Sequence, residues 1–162
     1  MGIPIARIEL LDRAYMKAIN SYSKTSYDER DTLLVEFHGT TQAVEEQVRL
    51  FDELSQQHGA SGFEWAAKEA DRVRLWSARH NAYYAGLAMR PGSRGYVTDV
   101  CVPILWLANC IDQTQQDLKT SGLYSPILGH VGDGNFHLTI FIDPNDQAMY
   151  EQALQIDHRL VQ

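Results

Sequence analysis

The chain has 162 residues, 44% of them hydrophobic and 22% charged, a balance that fits one globular domain with a core of its own. Fourteen Lys and Arg against 21 Asp and Glu give a formal net charge of −7, and no basic stripe breaks that balance, which argues against nucleic acid as a partner. Two cysteines, Cys101 and Cys110, are too few for a disulfide scaffold, and no apolar run approaches the roughly 20 residues of a membrane span.

In chain order, residues 3–11 are rich in Ile and Leu and predict a strand. Asp12 suits the cap of a helix over residues 13–22, with Ala14, Ala18 and Ile19 inward. TLLVEFH, residues 32–38, predicts a second strand. Thr40 or Thr41 then starts a helix through Gln57, and Gly59 follows as its stop signal. Residues 64–89 predict one long helix with Trp65, Val73, Trp76, Tyr83 and Leu87 near one face. A third strand over residues 97–102 is closed by Pro103. A helix over residues 104–120 follows, then strands over 126–131 and 136–142, and a last helix from Gln147. The alternation predicts an α+β fold, a mostly antiparallel sheet covered by helices on one face.

The stretch GHVGDGNFH, Gly129 to His137, carries two histidines across a turn. Asp-Gly between apolar residues predicts a tight hairpin. Centred on Asp133-Gly134, either as a two-residue turn or as a four-residue loop from Gly132 to Asn135, the turn sets His130 directly opposite His137, on one face of the sheet. Opposed residues there have Cβ atoms about 4.5–5.5 Å apart, close enough for two imidazoles to share one metal ion. The same register aligns Ile127 with Ile140 and Val131 with Phe136 as an apolar face. Two ligands do not complete a zinc-like site, which takes three or four. Asp133 sits in the turn and makes a poor third ligand; Asp99 is the better candidate within the chain.

HVGDGNFH resembles the HxGDGNxH signature of the C-terminal domain of FAD-linked oxidases, in the D-lactate and D-2-hydroxyacid dehydrogenases of the vanillyl-alcohol-oxidase superfamily. GIPIARIELLD, LLVEFHG, LWSARHNAYYAGLAMRPG and GYVTDVCVPI resemble the same family, in its order, so the likeness spans residues 2–142. It implies a ferredoxin-like substrate or cap domain over the flavin of a separate FAD-binding domain. It implies that His130 and His137 are ligands of a divalent metal, zinc or manganese. Asn135 would lie near the flavin and substrate, and Arg79 would bind the substrate carboxylate. Tyr83 is expected to line the same cavity.

The resemblance also implies what lies elsewhere. The flavin domain is expected upstream of the chain. The third metal ligand and the catalytic base are expected downstream, in a Glu-His-Gly stretch, so no base is assigned within it. Residues 1–162 are therefore expected to be a C-terminally truncated cap domain, inactive alone. The intact flavoprotein is expected to oxidise a small D-2-hydroxyacid, D-lactate to pyruvate, and to pass electrons to an acceptor such as cytochrome c. The resemblance further suggests a mitochondrial location, or a cytoplasmic one in a bacterium. The alternative is a stand-alone ferredoxin-like binding or regulatory module without catalysis. A metal-dependent hydrolase built on the histidine pair lacks a placed nucleophile.

Overall fold

In a computed structural model the chain is described over residues 2–66 and 68–162. The elements run β1 (Ile5–Leu11), α1 (Arg13–Ser23), β2 (Thr32–Phe37), α2 (Thr41–Gln57), α3 (Glu69–His80), α4 (Ala82–Met89), β3 (Arg94–Val97), β4 (Val100–Cys101), α5 (Ile104–Ser121), β5 (Ile127–Gly129), β6 (Asn135–Ile142) and α6 (Gln147–Leu160). A single 3₁₀ turn, Val131–Asp133, joins β5 to β6. The sheet order is β2-β1-β5-β6-β3, with β4 also beside β6, and every pairing is antiparallel. The expected α+β class holds.

The helices cover both faces of the sheet rather than one. Phe136, Leu138, Ile140 and Ile142 of β6 point to the side where residues of α5 and α6 complete a core. On the other side α1 and α4 pack over Leu11 and Leu128. Gly86 of α4 lies so close to Phe141 that a Cβ there would come within 2.3 Å of the ring. The cause is the composition of β6, NFHLTIFI, whose last five residues are all buried. A strand apolar on both sides needs cover on both sides.

Two sequence expectations change at their edges. The long helix breaks at Asn81 (φ −88°, ψ 0°) into α3 and α4. Its expected first turn is irregular as far as Ala66, Ala67 lies outside the described residues, and Trp65 and Val73 are exposed. The strand over 97–102 divides into β3 and β4, which share one register against β6, Val97 facing Thr139 and Val100 facing Phe136. Between them the Thr98 hydroxyl accepts the Leu138 N–H at 3.1 Å, where a ladder carbonyl would ordinarily serve.

The caps behave as read. Asp12 accepts the Tyr15 N–H at 2.8 Å, and Thr40 accepts the Ala43 N–H at 3.3 Å. Asp12 is 7% exposed, and burial, outweighing its backbone hydrogen bonds, raises its carboxyl from 3.8 to about 6. The folded chain therefore holds this proton more tightly than the unfolded one. The resulting stability is fully present below pH 4 and is lost as pH rises through about 6. A shift of that size corresponds to about 3 kcal/mol. Asp12→Asn keeps a capping oxygen without the charge, so its stability relative to wild type is expected to rise between pH 4 and pH 7. Urea unfolding at both values measures this, and parallel pH dependences would contradict it.

Candidate metal and substrate site

The turn that joins β5 to β6 differs from the expected one in register but not in consequence. Ile127 faces Leu138 and Leu128 faces His137, so His130 comes opposite Asn135, whose N–H reaches the His130 carbonyl at 3.3 Å. The four-residue loop is Val131–Gly134, one position earlier than expected. Gly134 is its left-handed residue (φ 75°). Asp133 is not among the positive-φ residues, which excludes the two-residue turn that would need both. The pairing is thus displaced by two residues. Side chains alternate with a period of two, so an even displacement leaves every residue on its face. His130 and His137 become diagonal neighbours on one side of the sheet, their ring centroids 5.7 Å apart and their planes at 86°.

Continuing the strand pairings outward brings four polar residues together on this face. Leu10 faces Gly129, so Glu9 faces His130. The register of β3 and β4 sets Asp99 opposite His137. Glu9 of β1 thus lies beside His130 and Asp99 beside His137, and the two pairs meet where the histidines are diagonal neighbours. Beyond them lies Thr139, whose hydroxyl is bonded to the buried Tyr15 hydroxyl at 2.7 Å. Burial pushes that phenol well above its ordinary range, so it stays neutral.

Arg79 enters from above. The Arg7 guanidinium sits 3.6 Å over the Trp76 ring, a contact that seats α3 across β1. One helical turn on, Arg79 donates from Nε to Glu9 Oε2 at 3.0 Å. The other carboxylate oxygen of Glu9 meets His130 Nδ1 at 2.6 Å. Glu9 is 2% exposed. No motif marks it, although an acid at the parity of Leu11 in a strand IARIELL is a signal for a paired, buried charge.

Both imidazoles are oriented through Nδ1. His137 Nδ1 lies 3.2 Å from the Thr98 carbonyl and 3.3 Å from Asp99 Oδ1. These oxygens only accept, so Nδ1 carries the proton and Nε2 keeps its lone pair. Asp99 therefore backs His137 rather than standing beside it as a third ligand. Asp99 also accepts Asn135 Nδ2 at 2.7 Å, while the buried Asn135 Oδ1 has no partner among the described residues. Histidines held through one nitrogen by oxygen acceptors, with the other nitrogen free, are arranged as metal ligands commonly are. The donor set fits a divalent ion in part. Among the described residues no cluster of three or more His, Cys, Asp or Glu is disposed to complete it.

Tyr83 is not brought to this group. Its ring lies 6.1 Å from Phe141 and against Gly95, four residues along β6 from His137, or about 13 Å at the rise of a strand. The group itself is an open shelf, with the His130 side chain 50% exposed. A cavity of about 1720 Å³ between β2, α2 and α3 is lined by Trp76 and Ala78 among others, but not by Glu9, Arg79, His130 or His137.

The chain matches the family described as FAD linked oxidases, C-terminal domain, over residues 1–162, and it belongs to that family. It is 47% identical over 159 residues to "Probable D-lactate dehydrogenase, mitochondrial" of Danio rerio, covering 98% of this chain and 32% of that one. It is 36% identical over 160 residues to "D-lactate dehydrogenase [cytochrome], mitochondrial" of Arabidopsis thaliana, covering 99% of this chain and 28% of that one. The chain thus spans about a third of the length of these relatives. The fold is shared with a 4-ethylphenol oxidase from Gulosibacter chungangensis, solved with isoeugenol, at a TM-score of 0.66 and 14% identity, over 95% of this chain and 36% of that one. Among the described residues no helix is long and apolar enough to cross a membrane.

Proposed function

We propose that the chain is the substrate- and metal-binding part of an FAD-dependent D-2-hydroxyacid dehydrogenase that converts D-lactate to pyruvate. Its remaining parts are an FAD-binding domain before it and a segment after it that supplies a third ligand and the base. The names of the two relatives support D-lactate, a mitochondrial location and, for one of them, cytochrome as electron acceptor. The observation that carries the metal reading is the histidine pair: two rings on one face, 5.7 Å apart, each held through Nδ1 by an oxygen acceptor.

A divalent ion, zinc or manganese, would be held by His130 and His137 through Nε2 and would supply Lewis acidity toward the substrate hydroxyl. FAD, when bound by its own domain, would supply the hydride acceptor. What the chain itself contributes is orientation. Arg79 is fixed at Nε, and its two terminal nitrogens, without hydrogen bonds among the described residues, would serve as a fork for the substrate carboxylate. Asn135 offers Oδ1 as a buried acceptor beside the pair. Tyr83 stands outside this arrangement, on the β3 side of the sheet.

The test is a zinc titration of the chain by calorimetry, with His137→Ala beside wild type. The wild-type chain is expected to bind zinc and the variant to lose most of that affinity; identical curves would refute the shared site. The chain supplied with FAD and D-lactate is expected to show no turnover, while the full-length protein reduces an acceptor. Turnover by the chain alone would refute the proposed division of labour.

A further inference from the structure

We propose that Glu9 is a positioning residue that fixes the tautomer of His130 and the direction of Arg79 at the same time. The proposal rests on the functional reading above only for what His130 and Arg79 then bind. Glu9 gives one oxygen to each partner, Oε1 to His130 Nδ1 at 2.6 Å and Oε2 to Arg79 Nε at 3.0 Å. It is 2% exposed, so water does not stand in for either bond. The two surrounding groups impose one requirement. Arg79 Nε always donates, because a guanidinium keeps its protons. If His130 Nδ1 also donates, the residue between them must accept at both ends, which a carboxylate does. Each end then has a consequence outside the pair. A proton on Nδ1 leaves the Nε2 lone pair of His130 facing the shelf it shares with His137. Holding Arg79 by Nε leaves its terminal nitrogens forward, and among the described residues neither makes a hydrogen bond.

Glutamine at this position separates positioning from mere filling of space. Its amide has one accepting and one donating end. The oxygen must meet Arg79, since two donors cannot face each other, so the NH₂ group meets His130 Nδ1. That nitrogen must then accept, and the proton moves to Nε2, where it occupies the lone pair a metal would use. Glu9→Gln is therefore expected to invert the tautomer of His130 with almost no change of volume. A purely structural ion pair would lose stability on this substitution without any such inversion.

The measurement is long-range ¹H–¹⁵N NMR of the histidine rings in the labelled, metal-free chain at pH 8, with His130 assigned by its loss in His130→Ala. Wild type is expected to hold mainly the Nδ1–H form and Glu9→Gln mainly the Nε2–H form. Zinc affinity of Glu9→Gln is expected to fall roughly 10–100-fold, the usual effect of removing an orienting partner. A wild-type His130 mainly in the Nε2–H form would overturn the proposal without any variant, so it stays decidable if Glu9→Gln does not fold. A folded Glu9→Gln that keeps the Nδ1–H form would overturn it as well. If wild type fails to bind zinc, the metal reading falls, while the tautomers still decide the role of Glu9.

Discussion

Gly134→Ala is expected to destabilise the chain by about 2–5 kcal/mol and to abolish zinc binding, through two effects that add. Gly134 has φ +75°, and a left-handed backbone costs a residue with a Cβ roughly 1–2 kcal/mol. That Cβ would also stand 2.1 Å from the Val102 carbonyl oxygen. The obstacle is backbone, so it has no rotamer to escape into, and crowding of this kind adds roughly 1–3 kcal/mol. Relief requires moving β4 away from the turn, and the bond from Val102 N–H to the Gly134 carbonyl, 2.9 Å, ties them together. Gly92 supplies the control. Its φ is +85° and nothing lies within 4 Å of a Cβ there, so Gly92→Ala incurs only the conformational cost of roughly 1–2 kcal/mol. Urea unfolding of both variants separates strain from collision. A Gly134→Ala chain as stable as Gly92→Ala would show that the turn yields freely and that the histidines are not held by it.

The histidine pair was legible in the sequence even though its register was not. The hairpin signal located the reversal, and an even displacement preserves faces, so the chemistry survived an error that an odd displacement would have reversed. What differs is the centre of the turn, one residue earlier than Asp133-Gly134, because Asp-Gly serves two geometries. In one both residues take positive φ; here only Gly134 does, closing a helical turn begun at Val131. The cover on both faces follows from the run LTIFI of β6, buried on both sides, where helices on one face alone were expected. The break at Asn81 carries no Gly or Pro, and only packing of α4 onto Phe141 reveals it. Glu9 was hidden for a deeper reason. Its two partners lie 70 and 121 residues away, and only the strand order brings them together.

Arg79→Ala is expected to show the largest combined effect, and Arg79→Lys divides it. Removing the guanidinium leaves Glu9 buried at 2% exposure without its principal cation. Breaking a buried pair from one side costs about 3–5 kcal/mol, because the remaining charge is uncompensated. In the full-length dehydrogenase proposed above, the same change removes the proposed carboxylate fork, and kcat/KM for D-lactate is expected to fall roughly 10²–10³-fold. Arg79→Lys keeps a positive charge against Glu9, so most of the stability should return. An ammonium has no Nε to hold and no second nitrogen to present, so it cannot pair with Glu9 and grip a carboxylate in two places at once. Its kcat/KM should therefore stay near that of Arg79→Ala while its urea midpoint approaches wild type. Recovery of both by Lys would mean that Arg79 acts as a point charge, and the fork, with the fixed Nε that aims it, would have to be abandoned. Recovery of neither would mean that the Nε contact itself holds α3 on β1. The charge alone cannot then account for the stability, and the geometry that Glu9 imposes must.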